Sequence, residues 1–360
     1  VGHFAAPPTV DLDRIQAIVY TSGTSGRPKG AVLPAGAWWQ GASASALHLG
    51  HADDDRWLAA LPLFHVGGLA ILFRSAISGV PVVLHDRFDP KRMRAAFADD
   101  AITLVSLVPA MLPPLFAAGG PFPASLRVAL LGGSGAAPAL VERALDLGLP
   151  VAPTYGLTEA ASQVTTLRPA DARAHLGSSG QPLPATEVRV ERNGLPLPPG
   201  VVGEIAIRGQ TLFRGYLNQT TPSLDDGWFH TGDLGRLDED GHLFVLDRRD
   251  DLIVSGGENV YPAEIEAVLL QHPAVAEAAV VAMADGRWGA VAAAFVVLRH
   301  GDRGTADDLI PFCRARLAAF KCPARWTALD ALPRTASGKI LRRALRDRLR
   351  SAPNSIAADA

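Results

Sequence analysis

Tyr20-Thr21-Ser22-Gly23-Thr24-Ser25-Gly26-Arg27-Pro28-Lys29-Gly30 follows directly on the apolar run Ile15 to Tyr20. Four small hydroxyls, three glycines and a lysine behind a strand-like run make up a loop suited to touching phosphate. Glycine lets the backbone turn its N–H groups toward an anion, and Thr21, Ser22, Thr24, Ser25 and Lys29 add side-chain donors. Read alone, a flexible Gly/Ser surface loop also fits. The stretch departs from the usual P-loop, because Gly26 is followed by Arg27 and Pro28 before Lys29 arrives. It implies a nucleotide site of another kind.

Working outward, short β-rich runs alternate with helical patterns as far as about Thr154. The strand-like runs are Ile15 to Tyr20, Arg56 to Leu61, Val80 to His85, Ile102 to Val108, Leu126 to Leu131 and Pro150 to Thr154. Helix candidates lie at Gly67 to Ser78, Asp89 to Asp99, Ala110 to Ala118 and Pro138 to Leu147. This alternation predicts an α/β fold with a mostly parallel, helix-covered sheet, and ligands at the carboxyl ends of its strands. The 21–30 loop is expected at such an end. Past Gly177 the pattern changes to hairpins, with strands at Glu187 to Glu191, Gly203 to Arg208, Leu234 to Leu237 and His242 to Leu246. A charged run, Asp247-Arg248-Arg249-Asp250-Asp251, then precedes a small α+β unit. The expected layout is a large domain over 1–247 with a β-rich part from about 177, a hinge at 248–251, a small mobile α+β domain over 252–350 and a tail at 351–360.

At 360 residues, 48% hydrophobic and 19% charged, the chain has an ordinary globular composition and room for a large core. A net charge of −2 gives no electrostatic reason to expect nucleic acid or an anionic membrane as partner. No run reaches membrane-spanning length and no signal peptide is visible, so a cytoplasmic location is expected. Two cysteines, Cys313 and Cys322, read as reduced thiols rather than a disulfide framework. The chain begins at Val1 and its first methionine is Met93.

Several polar clusters follow the phosphate-type loop in order. They are Leu61-Pro62-Leu63-Phe64-His65, Tyr155-Gly156-Leu157-Thr158-Glu159, Thr231-Gly232-Asp233, Asp247-Arg248-Arg249-Asp250, Ser255-Gly256-Gly257-Glu258-Asn259 and Pro333-Arg334-Thr335-Ala336-Ser337-Gly338-Lys339. Taken one at a time, each has an ordinary reading: a lone Thr-Gly-Asp is usually a turn, a lone lysine in a Gly-containing loop usually a solvated charge. Taken in order, they resemble the adenylate-forming acyl-CoA synthetase superfamily from about residue 15 to 350.

The resemblance implies an enzyme that converts a carboxylate and ATP to an acyl-adenylate and pyrophosphate, then transfers the acyl group to coenzyme A, with Mg²⁺ as cofactor. It implies a pyrophosphate cradle of Thr21, Ser22, Gly23, Thr24, Ser25, Gly26 and Lys29, with Thr158 facing the α-phosphate. Glu159 matches the magnesium-associated glutamate, and a hard oxygen ligand suits that ion. Asp233 and Arg248 match ribose contacts. Tyr155, Gly156, Gly132, Gly133 and Ser134 line the path of adenine and the acyl group. Lys339 is the implied catalytic lysine, and Asp250 the hinge about which the small domain exchanges Lys339 for a coenzyme A tunnel at Ser255, Gly256, Gly257 and Glu258.

For the acid, the wording of Asp55 to Leu58, Leu61 to Gly68, Arg74 to Gly79, Ser162-Gln163 and Gly256 to Pro262 is similar to the o-succinylbenzoate-CoA ligases of menaquinone biosynthesis. An aromatic keto dicarboxylate needs an apolar wall and a few donors. Phe64, Val66 and Gly68 are expected as wall, and His65, Ser162 and Gln163 as donors. Arg74 reads either as a partner for the second carboxylate or, more simply, as a helix arginine on a solvated face. Rival readings are another medium-chain or aryl acyl-CoA synthetase, an amino-acid-activating domain, or an inactive nucleotide-binding fragment. Only 19 residues precede Tyr20 where the family carries a domain-sized segment, so a fragment or naturally short form is expected. Small-molecule acid, ATP and coenzyme A are the expected partners, with a possible homodimer.

Overall fold

The structure, a computed structural model, describes residues 9–21, 28–218, 226–248, 251–299, 306–335 and 338–351, without the side chains of Arg248, Ala306, Asp307 and Ser351. The phosphate-type loop joins β1 (Ile15–Thr21) to β2 (Lys29–Pro34), which pair antiparallel as a separate two-stranded sheet. This corrects the expectation that the loop ends a strand of the parallel sheet. The connection is too short for a parallel crossover, which takes about a dozen residues, so the chain doubles back. Helix α1 (Ala35–Leu49) follows.

The main sheet is seven-stranded, in the order β4-β3-β5-β6-β7-β8-β9. Strands β3 (Trp57–Ala59), β4 (Val82–Leu84), β5 (Leu104–Leu107), β6 (Val128–Leu131) and β7 (Val151–Leu157) are parallel. Strands β8 (Ser162–Thr166) and β9 (Gln181–Pro182) extend it antiparallel. Helices α2 (Val66–Ser78), α3 (Pro90–Asp99), α4 (Leu112–Ala117) and α5 (Pro138–Asp146) connect these strands.

Alternation along each strand divides the core into two layers. Leu58, Val105, Leu107, Ala129 and Leu131 pack with Met93 and Phe97 of α3, Leu115 of α4 and Val141 of α5. Trp57, Ala59, Leu104, Val128 and Leu130 face the other way, against Ile71 of α2. Both faces are buried, which is why these strands read as continuous apolar runs. Each fully buried Leu or Ile contributes about 1.5–3 kcal/mol relative to exposure.

A second, antiparallel sheet holds β10 (Thr186–Arg192), β11 (Leu195–Pro196), β12 (Gly203–Gly209), β13 (Phe229–Leu237) and β14 (Leu243–Arg248) in the order β11-β10-β12-β13-β14. The β1–β2 hairpin is held between the two sheets: Val19, Ala31 and Leu33 share a core with Tyr155 and Val164 on one side and Ile205, Ile207 and Phe229 on the other.

The last third builds a third sheet. Strands β15 (Ile253–Ser255) and β16 (Glu258–Val260) precede α6 (Pro262–Leu269), and β17 (Val275–Asp285) and β18 (Gly289–Leu298) precede α7 (Ala306–Arg314). β19 (Arg325–Ala328) and α8 (Arg342–Ser351) close the unit. β17 and β18 bury Val280, Ala292 and Ala294 under α6 and α7, and Val281 and Phe295 under α8. No helix among the described residues is long and apolar enough to cross a membrane.

Candidate active site

Lys29 and Glu159 lie far apart in sequence and meet on one tyrosine. The segment around Tyr216 runs along β2, with Val32 N–H donating to Gly215 O at 3.0 Å and Leu217 N–H to Gly30 O at 2.8 Å. This places the Lys29 ammonium 5.1 Å from the centre of the Tyr216 ring, while Tyr216 Oη donates to Glu159 Oε1 at 2.6 Å. Phe213 N–H donates to the Glu159 carbonyl at 2.8 Å, so the backbone holds the same junction. A cation, a phenol and a carboxylate thus flank the mouth of the β1–β2 hairpin. Lys29 is suited to a phosphate, and the oriented Glu159 oxygens to a hard divalent ion shared with it. The hydroxyls and glycines expected to complete the cradle, Ser22, Gly23, Thr24, Ser25 and Gly26, lie outside the described residues, while Thr21 is paired with Lys29 at the hairpin's end.

Asp233 is buried at 6% exposure on β13, and Tyr155 Oη on β7 donates to its Oδ2 at 2.7 Å. Arg248 is its register partner on β14. A carboxylate carried by the second sheet is thus held by a hydroxyl of the main sheet, which suits a fixed acceptor for a pair of hydroxyls. Gly132 sits at the end of β6, where a Cβ would meet Thr154 Cγ2 at 2.7 Å; Gly133 and Ser134 beyond it are exposed.

Thr158 and Glu159 form a single helical turn, Thr158–Ala160, between β7 and β8. It ends in two non-glycine residues with positive φ, Ala161 at 50° and Ser162 at 106°. Such conformations cost on the order of 1–3 kcal/mol each and mark places where side-chain placement outweighs backbone ease. Ser162 Oγ accepts from Arg74 Nη2 at 3.2 Å.

That bond overturns the simpler reading of Arg74. It is 6% exposed, on the face of α2 turned toward the sheet, with its guanidinium 5.8 Å from the Trp57 ring. Burial pulls its pKa down to about 10. Its Nε has no hydrogen-bond partner among the described residues. Arg74 also lines a cleft of about 160 Å³ with Trp38, Phe73 and Ala161. Gln163 is buried too, donating to Thr166 Oγ1 at 2.8 Å and leaving Oε1 unpartnered among the described residues.

His65 is the residue before α2 begins. Burial first, and then the charge of Lys339, lower its pKa, so the imidazole is neutral at pH 7. Its Nε2 is buried without a partner among the described residues. The influence of Lys339 brings its charge near this strand-to-helix junction. A Cβ on Gly338 would approach Val108 Cγ2, just past β5, to 3.9 Å. The loop bearing Lys339 is braced by Thr335 N–H to Lys339 O at 2.8 Å and Lys339 N–H to Thr335 Oγ1 at 3.1 Å. Of the expected acyl wall, Val66 is half-buried and Gly68 buried, but Phe64 is 65% exposed and tilts against His65.

Ser255, Gly256, Gly257 and Glu258 are not part of this cluster. They make a tight hairpin in which Ser255 pairs with Glu258 and both glycines have positive φ, the geometry of a type I′ turn. Gly256 N–H donates to Trp288 O at 2.8 Å. Asp250 lies outside the described residues.

Comparison with known proteins places this geometry. Residues 3–217 match the AMP-binding enzyme family and residues 264–339 the AMP-binding enzyme C-terminal domain. The chain belongs to the AMP-binding enzyme family. Among relatives, it is 47% identical over 340 residues to a 2-succinylbenzoate–CoA ligase of Bacillus mycoides, an alignment covering 93% of this chain and 70% of that protein. The o-succinylbenzoate CoA synthetase of Bacillus subtilis, 44% identical, superposes with a TM-score of 0.89 when solved with its acyl-adenylate intermediate, over 96% of this chain and 71% of that one. With ATP and magnesium ion bound the score is 0.87, over 95% and 71%. A double mutant of the same synthetase bound to a product analogue, OSB-NCoA, scores 0.67 over 95% and 70%.

In this AMP-binding enzyme, Tyr216 is the site residue that sequence reasoning missed. Its signal is Leu212-Phe213-Arg214-Gly215-Tyr216, which says nothing of Glu159 until β2 brings the two together.

Proposed function

We propose that this AMP-binding enzyme is an ATP-dependent 2-succinylbenzoate–CoA ligase. It joins the acid to the α-phosphate of ATP with loss of pyrophosphate, then passes the acyl group to coenzyme A with release of AMP. The observation that carries the reading is the convergence of Lys29, Tyr216 and Glu159 at the hairpin with a Lys339 whose charge is felt at His65. Lys29 sits at the pyrophosphate end, Thr158 near the α-phosphate, and Asp233 with Arg248 at the ribose. Glu159, held by Tyr216, would carry Mg²⁺, which offsets charge on the phosphates when bound. Lys339 meets the carboxylate oxygen and α-phosphate as charge develops there.

The acid's distal carboxylate is assigned to Arg74. Among the described residues, the buried Arg74 guanidinium has a serine hydroxyl beside it and no carboxylate, and an anion in the cleft would supply the counter-charge. Val66 and Gly68 support an apolar wall, whereas the exposure of Phe64 argues against giving it that role in this arrangement. Neutral His65 can accept or donate one hydrogen bond without repelling Lys339.

The domain reading is 1–247 as the large domain, 248–251 as hinge and 252–350 as the small mobile domain. The higher similarity to the adenylate-bound synthetase than to the product-analogue complex, 0.89 against 0.67, supports an arrangement set for adenylation. Ser255 to Glu258 would reach the site only after rotation.

Pyrophosphate release measured with 2-succinylbenzoate, benzoate, a medium-chain fatty acid and no acid tests the assignment. Fastest release with 2-succinylbenzoate is expected. Equal rates with the other acids would move the assignment to a different acyl-CoA synthetase, and no release with any acid would favour an inactive nucleotide-binding protein.

A further inference from the structure

His175, Asp238 and His242 come together at the end of the β13–β14 hairpin, where the adenylation chemistry has no use for them. Asp238 lies five residues beyond Asp233, roughly 16 Å along an extended strand. One potential ligand atom from each of the three residues lies within 4.8 Å of the others. The imidazoles stack, with ring centres 4.0 Å apart and planes 20° from parallel. His242 is 9% exposed, and its Nδ1 has no hydrogen-bond partner among the described residues, lying 3.5 Å from Asp238 Oδ1.

Backbone contacts that need no ion hold the cluster in place. Asp238 Oδ1 accepts from the N–H groups of Asp240 at 3.1 Å and His242 at 2.7 Å, which fixes the carboxylate on its own turn. The segment bearing His175 is tied to the same hairpin by Ser179 N–H to Leu243 O at 2.8 Å and Gln181 Nε2 to Asp240 O at 2.7 Å. Two stacked imidazoles would repel if both were protonated, and a buried ring nitrogen without a donor or acceptor gains nothing from its surroundings.

We propose that His175, Asp238 and His242 bind a divalent first-row transition-metal ion, with Zn²⁺ the best fit. Two imidazole nitrogens and a carboxylate oxygen are a borderline-soft donor set, which suits Zn²⁺ and disfavours Mg²⁺. Tetrahedral binding would draw the ligand atoms to about 3.4 Å apart and would turn one imidazole out of the stack, because the ion lies in the plane of each ring that binds it. Solvent supplies a fourth ligand on the side where His175 and Asp238 are half-buried. The ion would staple the segment that leads from β8 to β9 of the main sheet onto the β13–β14 hairpin of the second sheet. Its role is structural, and it is distinct from the magnesium position at Glu159.

The test is titration of the chelator-stripped full chain with Zn²⁺ alone, in competition with a chromophoric chelator, beside thermal melting with and without Zn²⁺. One tightly held ion per chain is expected, with a melting temperature that rises on its addition. His175→Ala and Asp238→Asn should each weaken binding by about tenfold or more and lose the thermal shift. His175 is half-buried and its replacement leaves the backbone ties intact, so that variant decides the matter if His242→Gln fails to fold. A wild-type chain that takes up no Zn²⁺, or variants that take it up as tightly as wild type, would overturn the site.

Discussion

Arg74 shows how a single residue can be visible in a sequence and still be misplaced by it. An arginine inside a helical run reads as solvated, because burying a guanidinium is costly without a partner. The partner, Ser162, is 88 positions away, on the far side of the turn strained at Ala161 and Ser162. Arg74→Met should raise KM for 2-succinylbenzoate by roughly 10- to 100-fold, the worth of one hydrogen bond to a charged group, while KM for ATP stays level. A change in the ATP constant instead would place Arg74 outside the acyl pocket.

His65 gives a pH prediction. Its folded pKa is held below the ordinary 6.5, by burial and then by Lys339, so the unfolded chain takes up this proton at higher pH than the folded one. The stabilisation is therefore present above 6.5 and is lost as pH falls through that value toward the folded pKa. Burial, as the largest cause, displaces His48 and His85 in the same direction. Urea midpoints should accordingly drop between about pH 7 and 5.5, and His65→Gln should flatten that slope.

At the scale of elements, periodicity located most helices and strands, since the sheet's two buried faces leave plain apolar runs. Among the elements that escaped, beside short strands such as β8, β9, β11, β15, β16 and β19, two matter most for the site. β2 is masked by the polar loop before it. α1, Ala35–Leu49, starts after Pro34 without a side-chain cap and carries apolar residues around much of its circumference. The glycines of Ser255 to Glu258 read as space for a ligand, although a type I′ turn already demands them here.

Gly68 is a comparable case on α2. A helical Gly→Ala change ordinarily stabilises by up to about 1 kcal/mol. Here the added Cβ would lie 2.3 Å from Pro62 O and 2.7 Å from Leu61 O, both backbone atoms, so the clash wins. Gly68→Ala should lower stability by roughly 1–3 kcal/mol in urea unfolding and displace His65. A variant as stable as wild type would mean that the 61–65 segment yields freely.

For the whole molecule, the ordered clusters in the sequence named the reaction, but not which of them meet at one time. Lys339 comes from the third sheet's unit and lies near His65, whereas the Ser255–Glu258 hairpin packs at Trp288. Asp251, at the proposed hinge, accepts from Arg346 at 2.9 Å, which ties the linker to α8. If the small domain carries Lys339 in for the first step and out for the second, Lys339→Ala should slow adenylation about 100-fold or more. Thioester formation from supplied acyl-adenylate should change little in the same variant. Equal loss of both half-reactions would contradict two working arrangements.

The most direct measurement withholds coenzyme A. Enzyme incubated with Mg²⁺, ATP and 2-succinylbenzoate should accumulate 2-succinylbenzoyl-AMP and one pyrophosphate per adenylate, and addition of coenzyme A should convert the adenylate to thioester with equal release of AMP. Formation of ADP and phosphate, or thioester without any adenylate preceding it, would contradict the account.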